Sequence, residues 1–274
     1  MLKLTIRFAK HFNRYSLILA PVFTLIFMLP GFTTLAQDTV HFSHHVWNIR
    51  NSPVETHGPG NNYWSADKKR NVWVDKKGFL HFRLTRDPAN PEKWYCAQVE
   101  SQDAMGYGTY QFKTEGRIDK LNENVIFGMF CYPDDSKKPL DGYDEIDIEF
   151  SRWGKKHNPN NFDYTAYGDD RYDTCLISKD HHTRLKTLYT TQRYLRHPKE
   201  VVFESLAGFH DDDADPYQYD FIPASRKFKP AQRNMPVIIN LWLYKPHGSA
   251  AKPLPPSDGK NVEIIIHSFK FVSE

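Results

Sequence analysis

The sequence predicts an all-β chain folded as a two-sheet sandwich. Three observations carry that expectation. Apolar and polar residues alternate over short segments, which is the period of a half-buried strand. Few windows show the 3.6-residue apolar repeat of a helix. Aromatics form 15% of the chain and 18 prolines punctuate it, a balance that favours strands joined by turns.

The first 36 residues stand apart from this pattern. Lys3, Arg7, Lys10 and Arg14 make a basic leader without an acid, and an apolar stretch runs over 17–29 with Pro21 inside it. Thr34-Leu35-Ala36 then places small residues at −3 and −1, so a secretory signal peptide cleaved after Ala36 is expected. The apolar run is short for a membrane span. A secreted or periplasmic location follows as an expectation.

Removal of those 36 residues from the 274-residue chain leaves 238, enough for one β domain over 37–274. The chain holds 36 basic and 33 acidic residues, and four of the basic ones are in the leader. The remainder is near neutral, which argues against a nucleic-acid partner. Cys96, Cys131 and Cys175 are odd in number, so at most one disulfide forms. Cys96 and Cys131 fall in predicted strands and read as small buried hydrophobes. A single monomeric domain is the default expectation.

Predicted strands follow in order at 72–74, 79–85, 94–101, 108–116, 125–132, 143–151, 162–167, 185–193, 200–205, 237–244 and 261–272. In 79–85, Leu80, Phe82 and Leu84 alternate with His81 and Arg83. In 261–272, Val262, Ile264 and Ile266 share one face. The long loops 133–142, 209–219 and 247–260 are expected to rim a cleft. The acidic run Asp211–Asp215 lacks an EF-hand's spacing and reads as a solvated loop, with a structural calcium as the alternative. His41, His44 and His45, and His181-His182, are expected in loops without a carboxylate spaced to complete a metal site. No cofactor is required on this reading.

The segment Asp144-Glu145-Ile146-Asp147-Ile148-Glu149-Phe150 is the most informative. On a strand, Glu145, Asp147 and Glu149 share one face, while Ile146, Ile148 and Phe150 form an apolar reverse. Such a row of like charges opposes stability. Glycoside hydrolysis needs a pair of carboxyl groups, one ionised and one protonated. A third carboxyl between them pushes their pKa values apart. A solvated acidic strand or a calcium site remains the alternative on spacing alone.

Glu145-Ile146-Asp147-Ile148-Glu149 resembles the Glu-x-Asp-x-Glu signature of glycoside hydrolase family 16, in the unbulged spacing of its lichenases. Other segments extend the resemblance in order. They are Gly106-Tyr107-Gly108-Thr109-Tyr110, Tyr143-Asp144, Phe162-Asp163-Tyr164, the strand ending Asn240-Leu241-Trp242, and the closing strand over 262–271. The resemblance implies a concanavalin A-like β-jelly roll with a substrate cleft across its concave sheet. It implies retaining cleavage of a polysaccharide, a β-glucan or galactan, by a secreted endo-acting β-glycosidase. Glu145 would then be the nucleophile, Glu149 the general acid and base, and Asp147 the assistant to Glu145.

Sugar rings present C–H bonds to aromatic planes, so Tyr143, Trp153 and Trp242 are candidate stacking residues. Asn240 is a candidate hydrogen-bond partner, and Asp163 and Tyr164 complete the substrate-binding set. The chain departs from the family at Gln98, Glu100, Gln111, Asp163 and Tyr194-Leu195, so the sugar stays open. A transglycosylase or a non-catalytic carbohydrate-binding protein on the same scaffold are the alternatives.

Overall fold

The computed structural model describes residues 37–52, 61–67, 70–133, 144–169, 176–211, 216–248 and 251–274. The expected leader, Tyr143, Cys175 and Asp212–Asp215 lie outside the described residues. Gln37–Glu274 is one compact unit. Among the described residues no helix is long and apolar enough to cross a membrane.

Two antiparallel layers form the unit. The first has strands β1 (Thr39–Phe42), β2 (His45–Ile49), β6 (Trp94–Met105), β8 (Val125–Cys131), β9 (Ile146–Phe150), β10 (Phe162–Ala166), β11 (Ile177–His181) and β15 (Met235–Leu243). Its path runs β11-β10-β9-β8-β15-β6, with β2 also pairing to β6 and β1 to β2. The second has β4 (Val72–Val74), β5 (Leu80–Arg86), β7 (Gly108–Glu115), β12 (Tyr189–His197), β13 (Glu200–Ala207), β14 (Gln218–Pro223) and β16 (Val262–Ser273). It runs β5-β16-β7-β12-β13-β14, with β4 on β5. The short β3 (Tyr63–Trp64) pairs parallel to β6. The fold is thus the all-β sandwich that the alternation predicts.

The core lies between the layers, where each strand turns its apolar side. Ile146, Ile148 and Phe150 on β9 are fully buried there. They align with Cys131, Met129 and Phe127 on β8, and those with Val237, Ile239 and Leu241 on β15. Phe150 stacks on Phe162 at 5.1 Å between ring centroids. Burying each such side chain contributes roughly 1.5–3 kcal/mol. That burial holds β9 flat against the core and leaves its acidic side facing away.

Five strands fall outside the sequence expectation: β1, β2, β3, β11 and β14. The histidines expected in loops are partly in strands. His41 lies in β1, His45 in β2 and His181 at the end of β11. His45 Nδ1 bonds Asp103 at 2.8 Å, and His181 Nε2 pairs with Asp220 at 2.5 Å. The strand expected at 185–193 starts later, at Tyr189. Cys96 and Cys131 are free thiols buried in the core.

Candidate active site

The outward face of β9 sets the site by register. Glu149 stands opposite Asp163 on β10 and Gly128 on β8. Gly128 in turn faces Asn240 on β15, which faces Gln98 on β6. Asp163 faces Asp180 on β11, so three acids share one row across adjacent strands. In the next row, Asp147 lies between Thr165 and Phe130, and Ile238 pairs with Glu100. Directly opposed side chains have Cβ atoms about 4.5–5.5 Å apart. Acids that are distant in sequence therefore meet.

Glu145 lies just before β9 and continues its ladder, its carbonyl accepting from Tyr167 N at 2.8 Å. Asp144, one residue earlier, has φ +64° and is buried. Arg233 Nε pairs with its carboxylate at 2.6 Å. An aspartate tolerates this left-handed conformation better than most residues. The ion pair secures the chain where it delivers Glu145.

Gly128 leaves a gap in the row. A Cβ there would lie 2.7 Å from Asn240 Oδ1 and 3.5 Å from Glu149 Oε1. Only a residue without a side chain lets Glu149 and Asn240 approach across β8.

Burial and mutual repulsion dominate the electrostatics. Asp147 is raised well above the ordinary carboxylate range, first by burial and then by the charges of Glu145 and Glu149. Glu149 is also raised well above it, by burial and then by Asp163 and Glu145. Asp163 is raised to about 6 by burial, opposed by a hydrogen bond from Trp153 Nε1 at 3.0 Å. Thr165 Oγ1 also donates to Asp163, at 3.3 Å. Burial, and after it the same cluster of acids, lifts the Tyr167 hydroxyl. Carboxyl groups packed this closely hold their protons more tightly than separated ones, so neighbours in the row can divide acid and base between them.

Trp153 follows β9 in a turn with φ +51°, and Gly154 has φ +73°. These two left-handed residues swing the indole back to Asp163. Trp153 packs edge-on against Trp242 at 6.2 Å and Tyr244 at 6.5 Å. The three rings wall a cavity of about 730 Å³ beside the carboxylate row.

The structure brings Glu145, Asp147, Glu149, Asp163, Asn240, Trp242 and Trp153 to one face. It corrects Tyr164. Tyr164 neighbours Asp163, and adjacent strand residues point to opposite faces. Its ring is fully buried between the layers, stacked on Phe203 at 4.7 Å, with its hydroxyl bonded to Ser205 at 2.5 Å. Trp242 is largely buried, so Trp153 and Tyr244 present more ring surface. Tyr244 was missed by sequence reasoning, although its two-residue offset from Trp242 was a usable signal. Gly128, Asp180 and Tyr167 were also missed, because cross-strand register is not written locally. At the acidic loop, Asp211 accepts from Lys113 at 2.7 Å and Gln111 at 3.1 Å, which engages both its oxygens with protein donors.

The sequence matches no protein-family model and no curated relative. Solved structures do match. A β-glucanase of Bacillus licheniformis aligns over 83% of this chain and 92% of its own, at 18% identity and TM-score 0.59. A β-1,3-1,4-glucanase (lichenase) from a mouse hindgut metagenome covers 83% and 93%, at 18% identity and TM-score 0.56. A Mycobacterium tuberculosis protein described as an immunostimulatory antigen and pseudo β-1,3-glucanase covers 83% and 91%, at 17% identity and TM-score 0.55. The fold of this chain is that of these jelly-roll glucanases.

Proposed function

We propose that this protein is an endo-acting β-glycosidase that cleaves a polysaccharide with retention of configuration. One observation carries the reading. Glu145, Asp147 and Glu149 share the outward face of one strand, and burial followed by neighbouring acids raises Asp147 and Glu149 well above the ordinary carboxylate range. Retaining cleavage needs a division between an ionised and a protonated carboxyl.

In the first step, a Glu145 carboxylate oxygen attacks the anomeric carbon and the glycosidic C–O bond breaks. Glu149 gives its proton to the departing oxygen, which leaves a glycosyl ester on Glu145. In the second step, the Glu149 carboxylate takes a proton from water. The water oxygen attacks the anomeric carbon, and the ester bond to Glu145 breaks. Asp147, whose carboxyl burial and then Glu145 and Glu149 push upward, assists by donating its proton in a hydrogen bond to Glu145 as charge returns when the ester opens. The lift imposed on Glu149 by Asp163 and Glu145 keeps the acid loaded while both neighbours are ionised. Substitution of a sugar hydroxyl for the water turns the same residues to transglycosylation. The expected leader makes the cell exterior or periplasm the place of action.

A second reading is glycan binding without turnover. It is favoured by the description of one structural neighbour as a pseudo-glucanase. Product release from mixed-linkage glucan, laminarin, xyloglucan, agarose and carrageenan, with wild type beside Glu145→Gln, separates the two. Turnover by wild type that Glu145→Gln loses supports the enzyme. Binding by both with turnover by neither moves the assignment to the binding protein.

A further inference from the structure

The charge of the site reverses across a single indole. On one side of Trp153 lies Asp163, bonded to its Nε1, with Asp180 and Glu149 in the same row. On the other side its ring lines the cavity of about 730 Å³, where Lys155, Lys245 and His247 join Trp242 and Tyr244. Lys155 and His247 are exposed, and Lys245 is half-buried with Nζ donating to Gly248 O at 3.2 Å. None of the three forms an ion pair with any described residue. Elsewhere on the surface, cations such as Lys113, Arg117 and Lys179 do pair with acids.

Aromatic planes and hydroxyl partners suffice for a neutral sugar. Lys155 and Lys245 on the same hollow, neither paired with a described acid, add a positive potential that a neutral ring does not use. The aromatic wall is also held firmly. A Cβ at Gly154 would lie 2.4 Å from the Tyr244 ring, so the turn and the ring are in close contact.

Resting on the glycosidase reading, we infer that this cavity binds an anionic group, a sulfate ester or a carboxylate, on a sugar ring stacked against Trp153 and Tyr244. The site would thereby select charged polysaccharides. Lysine ammonium groups supply charge-assisted hydrogen bonds to such an anion. The acidic row repels the same anion. The charged ring is therefore held at the Lys155 end, away from the bond that Glu145 attacks.

The test compares matched probes: laminarin, sulfated laminarin and C6-oxidised laminarin, and agarose beside κ-carrageenan oligosaccharides. Turnover is measured as kcat/KM, and binding is measured on Glu145→Gln. The expected result is an anionic member favoured about tenfold or more over its neutral partner at low salt. That ratio shrinks as ionic strength rises. It collapses in the Lys155→Ala/Lys245→Ala variant and is restored by Lys155→Arg/Lys245→Arg. Preference for the sulfated over the oxidised laminarin identifies sulfate as the group, and the reverse identifies carboxylate. Thermal midpoints of all variants check that they fold. Turnover of neutral glycans with no anionic preference, or a preference unmoved by the double variant, overturns this inference and leaves the glycosidase reading standing. Neither turnover nor binding of any probe overturns both.

Discussion

Trp153 Nε1 donates a 3.0 Å hydrogen bond to Asp163 Oδ1, and this bond ties the aromatic wall to the carboxylate row. It also opposes the upward pull of burial on Asp163. The acid opposite Glu149 can therefore ionise first, and its charge then helps to keep the proton on Glu149.

On the glycosidase reading, Glu149→Gln removes the proton donor but leaves Glu145 in place. Formation of the glycosyl-enzyme should persist on aryl glycosides with very acidic leaving groups, which need little protonation. It should fall by about 10²–10⁴-fold on natural linkages. Pre-steady-state release of dinitrophenol, compared with release from a poor leaving group, measures this. An equal loss on both counts against Glu149 as the acid.

Asp163→Asn keeps an acceptor for Trp153 Nε1 and removes the charge. The native Asp163 carboxyl sits at about 6, above its ordinary 3.8. The native state thus holds the proton more tightly than the unfolded chain does. The stability this gives is fully present below 3.8 and is lost as pH rises through 6. The variant should be more stable than wild type at neutral and higher pH, by on the order of 3 kcal/mol, with the gap closing toward about pH 4. Urea unfolding across that range decides it. A gain that does not vary with pH would assign the effect to packing.

Gly128→Ala places a methyl group 2.7 Å from Asn240 Oδ1. Asn240 must shift, whereas Glu149, 3.5 Å from the same point, remains in ordinary contact. A displacement of this kind near the chemistry costs on the order of 10²-fold in kcat. Steady-state kinetics beside a thermal melt should show a loss of rate much larger than the loss of stability.

Tyr164→Phe tests the placement of Tyr164 in the core. Loss of its hydroxyl removes the bond to Ser205, whose own hydroxyl still donates to Gln192, and should cost about 1 kcal/mol of stability. The kcat/KM should stay within about twofold of wild type. A large kinetic effect with unchanged stability would return Tyr164 to the cleft.

Much of this was legible in period two. The alternation in 144–150 assigns three acids to one face and three apolar residues to the other, and the structure keeps that division. The same rule separates Asp163 from Tyr164 and joins Tyr244 to Trp242, although the motif resemblance alone hides both facts. The missed β11 and β14 are edge strands. Ile177–His181 is half-exposed and polar, while in Gln218–Pro223 the alternating aromatics Tyr219 and Phe221 face outward at the sheet edge rather than into the core. β1 and β2 do carry the alternation, with Val40, Phe42, Trp47 and Ile49 buried, but the histidines between them obscure it. Positive φ at Asp144 and Trp153 follows from tertiary contacts that no local pattern encodes.

The packed acids at 147, 149 and 163 have a consequence for selection. Each is held against its own preference to ionise, so each is a place where the native state is poorer than it could be. A screen that rewards heat resistance alone would favour Asn and Gln at these three positions. On the glycosidase reading, it would arrive at a sturdier jelly roll that no longer cuts a polysaccharide. Chains on this scaffold under pressure only to persist and to bind would drift the same way, and amides in this row would be the mark of that drift.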